Sequence, residues 1–491
     1  MQFNPIGLID AYKYGHAKQY PEGTEFVYSN FTPRGSRIEG IDEVVFLGLQ
    51  AFIDDLTQSY EDGFFSQDID QIVEEFEKNT LEILGPNNVG SDHWRKLHKL
   101  GYLPLKFKAL PEGTSVPLKV PVFTVENTHK DFFWLPNYIE SLLSAAIWLP
   151  CTSATTAKRM RKLLDEWAIK TTGSNAGVEF QGHDFSFRGM GSLEEAAASG
   201  AGHLASFVGS DTIIAKEWIK EHYGATEPIL LSVTATEHSV MCAGGDGPGE
   251  EQETYARLMR TYPSGILAVV SDTWDLWNVL TEILPNLKDQ IMARDGKLVI
   301  RPDSGNPVDI LCGTPNRVKE AFPTAPEQGV IELLWDVFGG TVNEQGYKVL
   351  DPHIGAIYGD SITFDRANDI CQRLADKGFA STNVVFGIGS YTYRYVTRDT
   401  FGFAMKATAV TVNGKERAIF KDPITDSGEK KSARGRMVVM RKDGKLKLLD
   451  NLNLGEQRAL SEHDQLRPVW IDGQFVHRTT FDSVRERVAR S

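Results

Sequence analysis

Short apolar runs recur through the middle of the chain: Leu230–Thr234, Ile266–Val270, Leu298–Ile300, Ala356–Tyr358, Asn383–Phe386 and Ala404–Val410. Segments with apolar residues at helical spacing, such as Asp275–Leu287 and Thr363–Lys377, separate most of them. Strands alternating with helices predict a parallel α/β arrangement. Polar residues follow most of the runs: Glu237-His238-Ser239, Ser271-Asp272, Arg301-Pro302-Asp303, Gly359-Asp360 and Gly387-Ile388-Gly389-Ser390. A β/α barrel gathers its site from many strand ends in this way. An open doubly wound sheet would collect it at one switch point. The pattern favours an irregular β/α barrel-like core.

The two ends of the chain read differently. In residues 1–145, Phe26–Phe31 alternates as a strand, Gln67–Leu84 and Asp92–Leu100 carry helical spacing, and Pro104–Val125 reads as short strands with turns. Phe132–Lys170 is largely helical in pattern, and Gly173–Gly182 is a loop. Beyond residue 410, Val410–Phe420, Gly435–Leu449 and Val469–Val476 look like hairpins, with Asn413-Gly414 and Asp443-Gly444 as turn signals. The expected division is an N-terminal α+β part (1–145), a barrel-like catalytic domain (146–409) and a C-terminal β-rich segment (410–491). The first and last parts would form a smaller β-rich α+β domain.

Composition narrows the function classes. The chain has 491 residues, 41% hydrophobic and 24% charged, the balance of a globular protein. A formal net charge of −14 argues against nucleic acid or an anionic membrane as partner. The N-terminus lacks the basic and apolar regions of a secretory signal, and the four cysteines show no metal-ligand spacing. A cytoplasmic protein with free thiols is expected. A polyanionic small substrate would need a local basic pocket.

Ile300–Pro307 carries the most chemistry. Arg301 is a planar fork suited to phosphate, and Asp303 an acceptor suited to a sugar hydroxyl or a hydrated metal ion. A surface Arg–Asp pair in a polar turn is the alternative. Phe185 offers a stacking face and Arg188 a second fork; a core Phe beside a solvated Arg is the plainer reading. Asp211, just before an apolar helix, reads on local grounds as an N-cap. His238 beside Glu237 is a candidate base or phosphoryl acceptor, or a structural histidine. Gly389 and Ser390 could present backbone N–H groups to phosphate, or form an ordinary turn. No P-loop motif occurs.

Taken in order, these motifs resemble the nicotinamide phosphoribosyltransferase family of the type II phosphoribosyltransferases over nearly the whole chain. The series runs from Asp10-Ala11-Tyr12-Lys13 through His183-Asp184-Phe185, Gly209-Ser210-Asp211-Thr212, Glu237-His238-Ser239, Ile300–Pro307 and Gly359-Asp360. It ends at Thr397-Arg398-Asp399 and Phe420-Lys421-Asp422-Pro423. The resemblance implies a homodimer with active sites at the interface. It would make nicotinamide mononucleotide and pyrophosphate from nicotinamide and phosphoribosyl pyrophosphate with Mg2+. It implies nicotinamide stacked between Phe185 and Tyr12 of the partner subunit, with Asp10 beside Tyr12. The carboxamide would donate to Asp211, with Ser271 near. Arg301 and Asp303 would hold phosphate and ribose, and Gly359 and Asp360 the ribose hydroxyls. Arg188 would contact pyrophosphate, and Arg398 with Gly389 and Ser390 the nucleotide phosphate. His238 would be phosphorylated by ATP, with Arg34, Lys406 and Lys421 lining the ATP region. Metal ligands are not assigned, and no role falls on Lys430. The glycine loop departs from the family pattern, with Ser390 and Tyr391 where glycines are expected. A nicotinate phosphoribosyltransferase, a non-catalytic binding protein on the same scaffold and a barrel hydrolase are the rivals.

Overall fold

The computed structural model describes residues 4–226, 228–315, 322–421 and 433–491. Asp422 and Pro423 of the last motif, and Lys430, lie outside these. The chain divides into two compact units. One comprises residues 1–155, 219–225 and 396–491, the other 156–218 and 226–395. The first of these units is built mainly from the two chain ends.

In that unit a seven-stranded antiparallel sheet interleaves the two ends. Strand Thr24–Thr32 lies between Phe123–Asn127 and Ala404–Val412. The run Ala404–Val410, expected as a barrel strand, therefore belongs here: Val27 faces Val410, and both are buried with Val412. An apolar run specifies a buried strand but not its partner, which explains the misplacement. The hairpin turns follow their local chemistry. Asn413-Gly414 and Asp443-Gly444 all have positive φ, as a two-residue Asn-Gly or Asp-Gly hairpin turn requires. An aromatic cluster including Phe64, Trp94, Trp134 and Tyr138 fills the core.

The second unit holds a parallel sheet. Its strands, in spatial order, are Gly209–Ser210, Gly182–Asp184, Val384–Ile388, Ile354–Tyr358, Leu298–Arg301, Leu267–Val270 and Thr234–Ala235. Leu231 forms a parallel bridge to Gly209, while Thr234 and Ala235 pair with the 267–270 strand. The segment 231–235 thus touches both edges, and the sheet closes into an irregular barrel. Leu230–Thr234 was expected as a regular strand; spanning two edges, it shortens to one bridge and one two-residue strand. Helices such as Glu251–Thr261, Val330–Phe338 and Phe364–Asp376 alternate with the strands. The last starts where Thr363 Oγ1 accepts from the Arg366 N–H. The strands Leu267–Val270 and Ile354–Tyr358 are buried along their whole length, as parallel strands covered on both faces are, while the edge strand Thr234–Ala235 is exposed.

All four cysteines are free, three buried and Cys242 exposed. Among the described residues no helix is long and apolar enough to cross a membrane.

Candidate functional site

The C-terminal ends of the barrel strands surround a cavity of about 780 Å³. Phe185, Arg188, Asp211, Arg301, Asp303, Gly359, Asp360, Gly389 and Ser390 all line it. Nine expected positions, scattered over two hundred residues of sequence, therefore meet in one place. Each sits at or just beyond a strand end, where the alternation of strand and helix leaves loop residues free to point into the barrel mouth.

Arg301 and Asp303 make a forked pair. Arg301 Nε and Nη2 donate to the two Asp303 oxygens at 3.3 and 3.2 Å, and Nη1 donates to the Thr236 carbonyl at 3.3 Å. The guanidinium also lies 5.3 Å from the Phe185 ring centroid. The Arg–Asp pair and the ligand wall are thus the same feature. Gly359 permits it, because a Cβ there would lie 1.9 Å from Asp303 Oδ1.

Asp211 Oδ1 accepts from Ser232 Oγ at 2.5 Å and is 2.9 Å from His183 Nε2. Burial alone would raise this carboxyl. The hydrogen bonds from His183 and Ser232, with the electrostatic influence of His183 and Arg301, outweigh it and hold the carboxyl below the usual range. Asp211 is therefore an ionised acceptor lining the same cavity as Phe185.

His238 is half-exposed, and its Nε2 is 3.2 Å from Asp272 Oδ1. The neighbouring Glu237, expected to serve it, instead accepts from Ser239 Oγ. Asp272 Oδ2 accepts from the Asp303 N–H at 2.9 Å and Ser304 Oγ at 2.5 Å. Burial pushes the Asp272 carboxyl up, but the Ser304 and Asp303 donors, with the neighbouring His238, more than offset this and lower it. Sequence reasoning left Asp272 without a role; its place directly after a strand end was the available signal. Ser271 lies outside the cavity lining. Its buried hydroxyl donates to the Val269 carbonyl at 2.7 Å and accepts from Tyr255 Oη at 2.9 Å.

The remaining expected residues belong to the other unit. Tyr12 is 64% exposed, and its hydroxyl reaches Asp10 at 3.5 Å. Asp10 also accepts from Ser141 Oγ at 2.5 Å. Lys406 feels Arg34, Lys421 and Arg398 together. Its ammonium is lowered by desolvation first and then by those three cations, against the opposing charge of Glu140. Arg34 is oriented by its Nε bond to the Gly402 carbonyl at 2.8 Å. The local basic cluster that an acidic chain would need for a polyanion is present here.

Among the described residues no three His, Cys, Asp or Glu side chains gather as a metal cage. Asp303 and Asp360 share the cavity wall. Two carboxylates suit Mg2+ when waters and a ligand's phosphates complete the octahedron.

Comparison with known proteins gives the family and the fold. The model of the nicotinate phosphoribosyltransferase (NAPRTase) family matches residues 180–467, and that of the nicotinamide phosphoribosyltransferase N-terminal domain matches residues 6–82. A nicotinamide phosphoribosyltransferase of Acinetobacter baylyi is 49% identical, covering 100% of this chain and 98% of its own. One from Mycoplasma genitalium is 37% identical, over 87% of this chain and 93% of its own. The crystal structure of human nicotinic acid phosphoribosyltransferase superposes with a TM-score of 0.56 at 16% identity, covering 98% of this chain and 93% of that one, and so shares the fold.

Proposed function

The chain belongs to the nicotinate phosphoribosyltransferase family, and from that premise we propose that it transfers the phosphoribosyl group of phosphoribosyl pyrophosphate to nicotinamide. The products are nicotinamide mononucleotide and pyrophosphate, a step of NAD salvage. The observation that carries the choice of base is Asp211. An ionised carboxylate lining the same cavity as a ring-stacking face accepts the amide N–H of nicotinamide and repels the carboxylate of nicotinate. That is the argument against the nicotinate alternative. A non-catalytic binding role is disfavoured by the forked Arg301–Asp303 pair and His238 gathered at one barrel mouth.

The pyridine nitrogen is nucleophilic without losing a proton, so the chain has no base to supply. The bond from nitrogen to C1 of ribose forms as the C1–O bond to pyrophosphate breaks. Catalysis is then positioning and electrostatic support of the leaving group. In this reading Arg301 and Arg188 hold phosphate oxygens, and Asp303, Gly359 and Asp360 orient the ribose. Gly389 and Ser390 receive the nucleotide phosphate, and Arg398 is a further phosphate fork. Mg2+ would be held by Asp303 and Asp360 with substrate oxygens, and when bound it neutralises charge on the departing pyrophosphate. The exposed Tyr12 fits a homodimer in which Phe185 and Tyr12 of the partner subunit enclose the nicotinamide ring. ATP would serve as activating co-substrate through His238; Arg34, Lys406 and Lys421 are a basic cluster suited to polyphosphate. Asp272 orients Nε2 of His238, which leaves Nδ1 as the nucleophilic nitrogen.

The test is direct. Purified protein is given phosphoribosyl pyrophosphate and Mg2+ with either nicotinamide or nicotinate. Nicotinamide mononucleotide is expected from the first pairing. Its absence would overturn the reading.

A further inference from the structure

We propose that Ser304 is a positioning residue that makes phosphoribosyl pyrophosphate binding depend on the phosphorylation state of His238, through the shared carboxylate of Asp272. This rests on the functional reading above and adds the route by which ATP would act.

Asp272 divides its two oxygens between two parts of the site. Oδ1 faces His238 Nε2 at 3.2 Å, and Oδ2 accepts from the Asp303 N–H at 2.9 Å and Ser304 Oγ at 2.5 Å. The turn bearing Asp303 is also held by the Arg301 fork on the Asp303 carboxylate and by two uncharged contacts. The Gly359 N–H donates to the Pro302 carbonyl at 3.2 Å, and Tyr358 Oη donates to the Gly305 carbonyl at 3.0 Å. Ser304 is thus the side chain that fastens the turn to the one carboxylate His238 also uses. A second link runs parallel, since Arg301 Nη1 reaches the Thr236 carbonyl two residues before His238.

The chemistry gives this arrangement a use. The γ-phosphoryl of ATP passes to His238 Nδ1: the N–P bond forms, the Pγ–O bond breaks, and ADP leaves with the electron pair. The Nε2 proton stays on the ring, facing Asp272. With Nδ1 bonded to phosphorus and Nε2 still protonated the ring is an imidazolium, so its Nε2–H bond to Oδ1 becomes charge-assisted and stronger. Asp272 then holds its orientation more firmly, and through Ser304 Oγ and the Asp303 N–H so does the turn that presents Asp303 and Arg301. Attack of water on the N–P bond releases phosphate, restores Nδ1 and relaxes the turn.

The experiment compares the wild-type protein with Ser304→Ala and Ser304→Thr. KM for phosphoribosyl pyrophosphate is measured with and without ATP, alongside ATP hydrolysis. In the wild type ATP lowers this KM. Ser304→Ala continues to hydrolyse ATP, but the ratio of KM without ATP to KM with ATP falls toward one. The fall is about tenfold or more, the worth of one hydrogen bond to a charged acceptor. Ser304→Thr, which keeps the hydroxyl, restores the ratio. A merely structural role would move both KM values together and leave the ratio alone. An unchanged ratio in Ser304→Ala overturns the proposal, as does a wild type that makes nicotinamide mononucleotide with no ATP effect on KM; the functional reading survives both outcomes. A wild type that makes no nicotinamide mononucleotide removes the functional reading itself.

Discussion

Replacing Asp211 with Asn tests the account of base choice most sharply. The change removes a charge and keeps an oxygen that can face His183 Nε2 and Ser232 Oγ, so local packing is retained. Two unit charges about 4 Å apart repel by roughly 4 kcal/mol at the effective dielectric of a protein surface. Asp211 is 43% exposed, so screening by water cuts this to about 2 kcal/mol. Relief of that repulsion favours nicotinate by about thirtyfold. Nicotinamide in turn exchanges a charged acceptor for a neutral one, a loss of about 1 kcal/mol or about fivefold. The ratio of kcat/KM for nicotinamide over nicotinate should therefore fall on the order of a hundredfold. Steady-state kinetics with both bases, at saturating phosphoribosyl pyrophosphate and Mg2+, reads this directly. A ratio within threefold of the wild type would refute the reasoning. The pH dependence supplies a check. Because the folded carboxyl is held below its unfolded value, it stays charged through neutral and mildly acid pH. Wild-type selectivity should be flat from about pH 5 upward. The stability this group contributes is present above the unfolded value and is lost as pH falls through the lower folded one.

Three other changes probe separate parts of the structure. Gly359→Ala would place a methyl group 1.9 Å from Asp303 Oδ1 and 3.1 Å from Arg301 Nε, so the fork must shift. A displacement of that size should lower kcat/KM for phosphoribosyl pyrophosphate by about a hundredfold, and an unchanged value in the same kinetic assay would count against the placement of the fork. His238→Ala should abolish ATP hydrolysis and the phospho-enzyme while some base transfer survives; ATP-dependent phosphate persisting on the variant would exclude His238 as acceptor. Glu251 is buried, both its oxygens lack a hydrogen-bond partner among the described residues, and burial with the charge of Asp275 pushes its carboxyl up to about 7. Its folded form holds the proton more tightly than the unfolded chain, so its contribution is full in acid and lost as pH rises through about 7. Glu251→Gln should raise the melting temperature by a few degrees at pH 8 and leave it unchanged at pH 5; equal effects at both would reject the assignment.

What the sequence discloses and what it hides follow one physical division. Features set by neighbours in the chain are legible. Asn413-Gly414 and Asp443-Gly444 adopt positive φ because the turn between paired strands demands it, and Thr363 caps its helix as its position announces. The barrel itself is legible, since apolar runs followed by polar residues record both the buried strand and the open strand end. Pairings across the fold are not. The strand Ala404–Val412 shows its apolar character but not that Thr24–Thr32 is its partner. The carboxylate beside His238 in sequence, Glu237, accepts from Ser239 Oγ, while Asp272, thirty-four residues away, takes its place. Ser271 looked like a ligand residue at a strand end, yet its hydroxyl is drawn inward by Val269 and Tyr255. At a strand end, residue type states what chemistry is possible, and only the closed barrel decides which side chains face the cavity and which are consumed in holding it. Asp272 is the clearest instance: its carboxylate faces His238 with one oxygen and the Asp303 turn with the other. Its role is set by two partners that no local pattern could have joined.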